Sequence, residues 1–384
     1  MTQARPAVAA AGPWRRRQFV AALPATLIGV PLLPACSSEL ESHASAAARI
    51  RRAPEFGDRA AVAGGAPGLG LGTELIRLAT LAPSSHNTQC WKFAVGDPGI
   101  TILPDLSRRC PAVDPDDHHL FVSLGCAAEN LHHAALAHGL RAETRFDAGR
   151  DAIEVALTPT AARRSALFEA ITSRQCTRGD YDGTPLSANE LGQLERAGTV
   201  SGVRVLLLTE RPAVEQVLEY IVQGNTAQMA DPAFLSELKA WIRFNGAEAV
   251  RSADGLYGVA SGNPELPGWI GRLAFRWLLT PKGENEKCAR QIRSSAGIAV
   301  FVGEAADKAH WVQVGRAYER FALQATALGI RNALLNQAVE VAAVRSPFAA
   351  ALGIGGQRPD LVVRFGRGPT LPPSLRRPVQ AVRV

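Results

Sequence analysis

The chain of 384 residues is long enough for two ordinary domains, or for one large fold whose halves share a core. Its 47% hydrophobic and 20% charged residues exclude a disordered chain and a membrane bundle. The net charge of +7 leaves no nucleic-acid footprint, because Arg5, Arg15, Arg16 and Arg17 all precede the first acidic residue and no later basic run carries interleaved aromatics.

Arg15 to Val20 is a basic cluster followed by the apolar run Ala21 to Leu33 and by Pro34-Ala35-Cys36, so residues 1–36 read as a targeting leader outside the fold. Arg16-Arg17-Gln18-Phe19-Val20 resembles the twin-arginine export motif, which implies a protein folded around a cofactor before it reaches the periplasm or cell envelope. Leu33-Pro34-Ala35-Cys36 resembles a lipobox, which implies a lipid anchor at Cys36. The apolar run is too short to span a bilayer. Six cysteines without CxxC spacing suggest no zinc site, and an oxidising compartment would permit a disulfide.

Residues 37–72, rich in Ala, Gly, Ser and Pro, read as a flexible linker. Folded sequence is expected from Thr73, where Glu74 to Ala82 has helical spacing and stops at Pro83. Strands are expected at Lys92 to Val95, Ile153 to Leu157, Val203 to Leu208, Gly297 to Val302 and Leu361 to Phe365, which gives an α+β sandwich. Asp114-Pro115-Asp116-Asp117-His118-His119 reads as a turn and helix N-cap rather than a metal site, since neither it nor His132-His133 and His138 fits HExxH or EF-hand spacing.

The chain also repeats itself. Gly125, Ala127, Glu129, Leu131, Ala135, Ala137 and Gly139-Leu140 recur 190 residues later as Gly315, Ala317, Glu319, Phe321, Ala325, Ala327 and Gly329-Ile330. Each copy is a long helix with a small-residue face, closed by a glycine suited to a left-handed cap. A weaker echo relates Glu74-Leu75 and Leu78 to Glu190-Leu191 and Leu194, 116 residues apart. The reading is a fused pseudo-dimer, monomeric overall, with a first half at 73–160 and a second at 161–384. The unequal offsets place an extra segment at about 210–285, and its Tyr220, Trp241, Phe244, Tyr257, Trp269, Phe275 and Trp277 suggest a lid or subunit-contact element.

Pro83-Ser84-Ser85-His86-Asn87-Thr88-Gln89-Cys90-Trp91-Lys92-Phe93 follows the first helix directly. Hydroxyl and amide residues at a chain break offer both donors and acceptors, as a ligand edge with alternating N–H and C=O groups requires. Pro-Ser-Ser-x-Asn-x-Gln-x-Trp-x-Phe resembles the flavin loop of the nitroreductase superfamily, with Cys90 where proline is usual. The resemblance makes Ser84, Ser85, Asn87 and Gln89 FMN-binding candidates. Ser173-Arg174-Gln175-Cys176-Thr177-Arg178 resembles the family's arginine element, whose bidentate guanidinium groups clamp the FMN phosphate, and so implies Arg174 and Arg178. Leu361 to Gly368 and then Leu375-Arg376-Arg377-Pro378-Val379 resemble the family's closing strand and basic segment, which adds Arg376 and Arg377. Asn336-Gln337 falls where the family lines the flavin and carries no assigned role.

The first half keeps the serine loop and the second keeps the arginine element, so one complete FMN set remains per chain. With the leader and the aromatic insertion, this pattern resembles the Acg-like branch of the superfamily. The resemblance implies an FMN-dependent nitroreductase-like fold and two activities to weigh. One is electron transfer from NAD(P)H or another donor to a nitroaromatic or quinone-type acceptor. The other is exported flavin binding or sequestration with little turnover. Flavin supplies the chemistry in either case, and no side chain is assigned as a catalytic acid or base.

Overall fold

A computed structural model describes residues 41–52 and 69–384. The expected leader, residues 1–36 with Cys36, lies outside the described residues. Chain order begins with helix α1 (His43–Arg51), where the sequence suggests a flexible linker. Ser42 caps it by accepting from the Ser45 N–H, and Ala46 and Ala47 are small enough to bury against Tyr257 and Leu375. Arg77 donates to the Ile50 carbonyl at 2.9 Å, so part of the expected tether is docked structure. Helix α2 (Leu69–Thr80) starts four residues before the expected Thr73.

The first half continues with β1 (Trp91–Val95), β2 (Gly99–Pro104), α3 (His118–Ala137), β3 (Leu140–Asp147) and β4 (Ala152–Pro159). These strands form an antiparallel sheet in the order β1-β2-β4-β3. After α4 (Ala166–Ala170), the second half runs α5 (Ala188–Gly198) and β5 (Val203–Leu208). The long insertion follows as α6 (Arg211–Ala230), α7 (Pro232–Trp241), β6 (Ile242–Arg243), α8 (Gly246–Ser252), β7 (Leu256–Tyr257), α9 (Gly268–Leu278) and α10 (Pro281–Arg293). The second sheet is then completed around α11 (Lys308–Ala327) by β8 (Gly297–Gly303), β9 (Arg331–Leu334) and β10 (Pro359–Gly366). Its order, β5-β8-β10-β9, repeats that of the first sheet position for position. Helices α12 (Gln337–Glu340) and α13 (Ala342–Ala351) join β9 to β10, and α14 (Val379–Val382) lies at the C-terminal end of the chain.

The two long helices pack against each other at the centre of the main core. Their small-residue faces meet at the two glycines: a Cβ on Gly125 would fall 2.1 Å from the Val312 oxygen, and one on Gly315 would fall 2.0 Å from the Val122 oxygen. Val122 and Val312 are themselves 190 residues apart, so the contact is reciprocal. No other residue type allows backbones this close. Gly139 (φ 77°) and Gly329 (φ 70°) adopt the left-handed conformation that closes each helix.

The second half reaches back onto the first. Val384 N–H donates to the Phe93 carbonyl at 2.9 Å, which adds the last residues to the edge at β1. The five described cysteines are free thiols. No described helix is long and apolar enough to cross a membrane.

Candidate functional site

The loop after α2 is the most contorted backbone of the first half. His86, Asn87 and Gln89 take positive φ values of 49°, 53° and 55°. Each such non-glycine residue costs on the order of 1 kcal/mol, so the loop persists only where its surroundings hold it. Ser84 Oγ accepts from the Gln89 N–H at 2.9 Å. Asn87 Nδ2 donates to the carbonyls of Gly255 (3.0 Å) and Leu375 (3.2 Å), while its Oδ1 accepts from Arg376 at 3.0 Å. Gln89 donates to the Ala253 carbonyl at 2.9 Å and accepts from the Arg377 N–H at 2.8 Å. Asn87 and Gln89, both FMN-binding candidates, are the pegs that fix the loop to the insertion and to the C-terminal segment.

What the loop presents is Ser84, Ser85 and His86, which line a cavity of about 290 Å³. Its inner wall comes from α3, α11, β9 and β10, with His119, Ser123, Tyr318 and Arg364 among the lining residues. The facing wall comes from the insertion: Asn225, Gln228 and Met229 of α6, Phe234 and Leu238 of α7, and Glu284, Lys287, Cys288 and Gln291 of α10. A mostly apolar hollow with a few convergent polar groups is the ordinary form of a small-molecule site.

Of the four expected arginines, only Arg178 lines this cavity, and its guanidinium makes no hydrogen bond or ion pair to another described residue. Arg174 is 2% exposed, lies 3.0 Å from Glu319 and donates to the Leu81 carbonyl at 2.8 Å. Arg376 is equally enclosed and caps the end of α2, donating to the carbonyls of Thr80 (2.6 Å), Leu81 (3.0 Å) and Ala82 (2.9 Å). Arg377 faces Asp105 and donates to the Ala381 carbonyl at 3.0 Å. These three do not reach the cavity. Arg174 has a carboxylate to neutralise, Arg376 has orphan helix carbonyls to satisfy, and Arg377 is turned toward Asp105.

The sequence reading overlooks Arg364, which sits in the middle of β10 and is fully buried against the cavity. It stacks 4.1 Å from the Tyr181 ring and donates to the carbonyls of Thr177, Gly179 and Gln291, but it has no carboxylate partner among the described residues. A lone arginine inside Leu-Val-Val-Arg-Phe-Gly was the available signal. Lys287 adds a third cation to the lining, with its Nζ 3.5 Å from Asn263. No spacing motif marks it.

The opposite wall is a hydrogen-bonded polar set. Asp114 accepts from the His119 and Leu120 N–H groups, both at 3.0 Å, and so caps α3 as the sequence suggests. Asn336 Oδ1 accepts from the Val362 N–H, which leaves its Nδ2 to donate to His119 Nε2 at 3.0 Å. His119 Nδ1 then carries the proton and faces Asp114 at 3.4 Å. The ligand atoms of Asp114, His118 and His119 approach within 4.8 Å of one another, but each residue is already engaged: His118 Nε2 is 2.9 Å from Asp360. Glu340, whose pKa burial pushes up, accepts from Gln228 at 2.6 Å and closes this wall.

Several enclosed polar atoms on the lining lack any partner: His86 Nε2, Gln337 Oε1 and Arg364 Nε. Burial lowers the His86 pKa to about 4, so the ring is neutral at physiological pH. Unpartnered buried donors and acceptors are costly in a finished interior and mark where a polar ligand belongs.

No protein-family model matches the chain. It is 26% identical over 324 residues to a protein named "Putative NAD(P)H nitroreductase" in two strains of Mycobacterium tuberculosis, covering 80% of this chain and 89% of that one. The similarity is to proteins named as nitroreductases. Solved structures to which the chain is similar over part of its length include an FMN-bound nitroreductase from Bacteroides fragilis (16% identity, 54% of this chain and 90% of that chain, TM-score 0.32). Another is the FMN-dependent nitroreductase NfnB from Mycobacterium smegmatis in complex with NADPH (13% identity, 57% and 92%, TM-score 0.36).

Proposed function

We propose that this chain is an FMN-dependent oxidoreductase of the nitroreductase type. It would pass electrons from NAD(P)H or another donor to a nitroaromatic or quinone-type acceptor. The observation that carries the reading is the pairing of two unmet demands in one cavity. At one place an unpaired guanidinium, Arg178, stands near Arg364 and Lys287 with no carboxylate to neutralise it. At another, His86 Nε2 and Gln337 Oε1 are enclosed without partners. A phosphate dianion meets the first demand and a ring edge of alternating donors and acceptors meets the second. FMN supplies two-electron chemistry when bound. The chain's contribution is to fix the ring edge through the clamped 84–89 loop, hold the phosphate with Arg178 and Arg364, and exclude water with α6, α7 and α10.

The identical strand orders, the reciprocal glycine contact and the 190-residue offset support an internally duplicated, fused pseudo-dimer with one flavin site. The leader supports export to the periplasm or cell envelope through the twin-arginine route, with Cys36 as a lipid attachment point.

A second reading, flavin sequestration of the Acg type, draws on the cavity's facing wall. Much of the lining comes from the insertion, which therefore covers part of the cavity a nicotinamide would enter. Purified protein should be yellow and release FMN on denaturation; a colourless protein that takes up no FMN would end both readings. Anaerobic mixing with NADPH or NADH then separates them. Rapid bleaching of the flavin absorbance supports the reductase, and slow bleaching even at high donor concentration supports sequestration.

A further inference from the structure

Helix α9 carries the least expected surface of the molecule. Trp269, Leu273 and Trp277, at i, i+4 and i+8, are 70%, 71% and 79% exposed and form one apolar ridge along the helix. The opposite side is committed to the protein: Phe275 is buried, and Gly271 sits so close to the Phe244 ring that a Cβ would fall 2.2 Å from it. The ridge is therefore not a helix end waiting to pack inward. Single exposed apolar residues are unremarkable, but an aligned stripe with tryptophan at both ends needs an occupant.

We propose that this ridge docks the protein on the interface of an anionic lipid bilayer. Three observations favour lipid over a second copy of the chain. Taking ordinary side-chain areas, the three residues expose about 500 Å², short of the roughly 800 Å² per partner that a stable protein interface buries. The chemistry is interfacial: tryptophans flank a leucine, α9 contains no acidic residue, and its Arg272 stays half-exposed beside its partner Glu248, where it can also face anionic headgroups. The chain also enters the described fold on the same substructure. α1 begins at His43, whose ring lies 4.3 Å from Tyr257, and its neighbour α8 supplies Glu248 to pair with Arg272 of α9. Seven peptide steps separate Cys36 from His43, a reach of at most about 24 Å. A lipid at Cys36 would thus hold α9 at high local concentration beside the membrane. The inference does not depend on the flavin reading.

The test is sedimentation of the full chain with vesicles of phosphatidylcholine, with and without phosphatidylglycerol, comparing wild type with Trp269→Ser/Leu273→Ser/Trp277→Ser. The single variant Leu273→Asp is a second, milder probe. The wild type should partition roughly tenfold or more better than the triple variant, with Leu273→Asp intermediate and phosphatidylglycerol strengthening wild-type binding. Brominated lipid should quench the tryptophan emission of the wild type strongly and that of the triple variant not at all, with Leu273→Asp between them. Equal partitioning of all three proteins would assign any binding to the leader and overturn the proposal. A wild-type dimer in size-exclusion chromatography that the triple variant abolishes would assign the ridge to a second copy and also overturn it.

Discussion

The two central helices place a glutamate at the same position of the repeat, and the two carboxylates titrate in opposite directions. Glu129 of α3 is fully enclosed, yet its pKa is about 2, because His133 and Arg316 outweigh the cost of burial. In Glu319 of α11 burial wins, and its pKa rises to about 7 with Arg174 acting against the rise. The cause lies in two facing positions. Glu129 meets Arg316 and Arg320, whereas their repeat partners facing Glu319 are Cys126 and Asn130. One half keeps its countercharges on the opposing helix, and the other borrows Arg174 from the loop after α4. Similar backbones therefore do not imply similar electrostatics, and an arginine expected at a phosphate can instead meet a carboxylate.

The largest expected effect comes from removing that borrowed charge. Arg174→Met should cost about 3 kcal/mol of unfolding free energy near pH 8, as breaking a buried pair generally does. The cost should be smaller near pH 5, where Glu319 takes up a proton. Urea titration at the two pH values measures both, and an equal loss would break the comparison. Next, Gly125→Ala and Gly315→Ala should each cost about 2–3 kcal/mol, because either methyl is driven into a carbonyl of the partner helix. Markedly unequal losses would show that the helix contact is not reciprocal.

The pH dependence sharpens the contrast further. A raised carboxyl pKa means that the folded state binds the extra proton, so Glu319 contributes stability below about pH 4.5 that is lost as the pH climbs through 7. Glu129 does the reverse, contributing stability above about pH 4.5 that is lost as the pH falls toward 2. Glu319→Gln should flatten the neutral limb of the stability profile and Glu129→Gln the acid limb; exchanged effects would invert the assignment. The smallest effect on folding is expected at Arg178→Ala, which removes no intramolecular partner and should shift stability by under about 0.5 kcal/mol. It should nevertheless weaken FMN retention by roughly tenfold or more, as loss of a charge-assisted contact to phosphate does. Equilibrium dialysis against FMN measures this loss, and unchanged retention would remove Arg178 from the site.

The central helices were legible because close backbone contact demands glycine at Gly125 and Gly315, and the left-handed caps demand it again at Gly139 and Gly329. The five expected strands were found because they are apolar runs. β3 was missed because its outward residues Arg141, Glu143 and Arg145 hide the alternation, and β9 because four residues carry no period. Of the residues the motifs single out, Ser84, Ser85 and Arg178 line the cavity, whereas Asn87, Gln89, Arg174, Arg376 and Arg377 spend their polar groups on other parts of the protein. An amide or guanidinium suits a carbonyl, a carboxylate or a phosphate alike, and only the tertiary fold decides which of them it meets. His86, Lys287 and Arg364 stood outside any pattern the flavin resemblance marked.

The clamp on the 84–89 loop also sets an order of events during synthesis. Arg376, which binds Asn87 and the carbonyl end of α2, is translated 289 residues after Asn87. Gly255 and Ala253 offer the left-handed loop partners earlier in the chain, but its clamp is incomplete until the closing segment leaves the ribosome. The cavity wall is thus the last part of the first half to set. A chain stalled before residue 376 would carry the motif without the shape that gives it meaning.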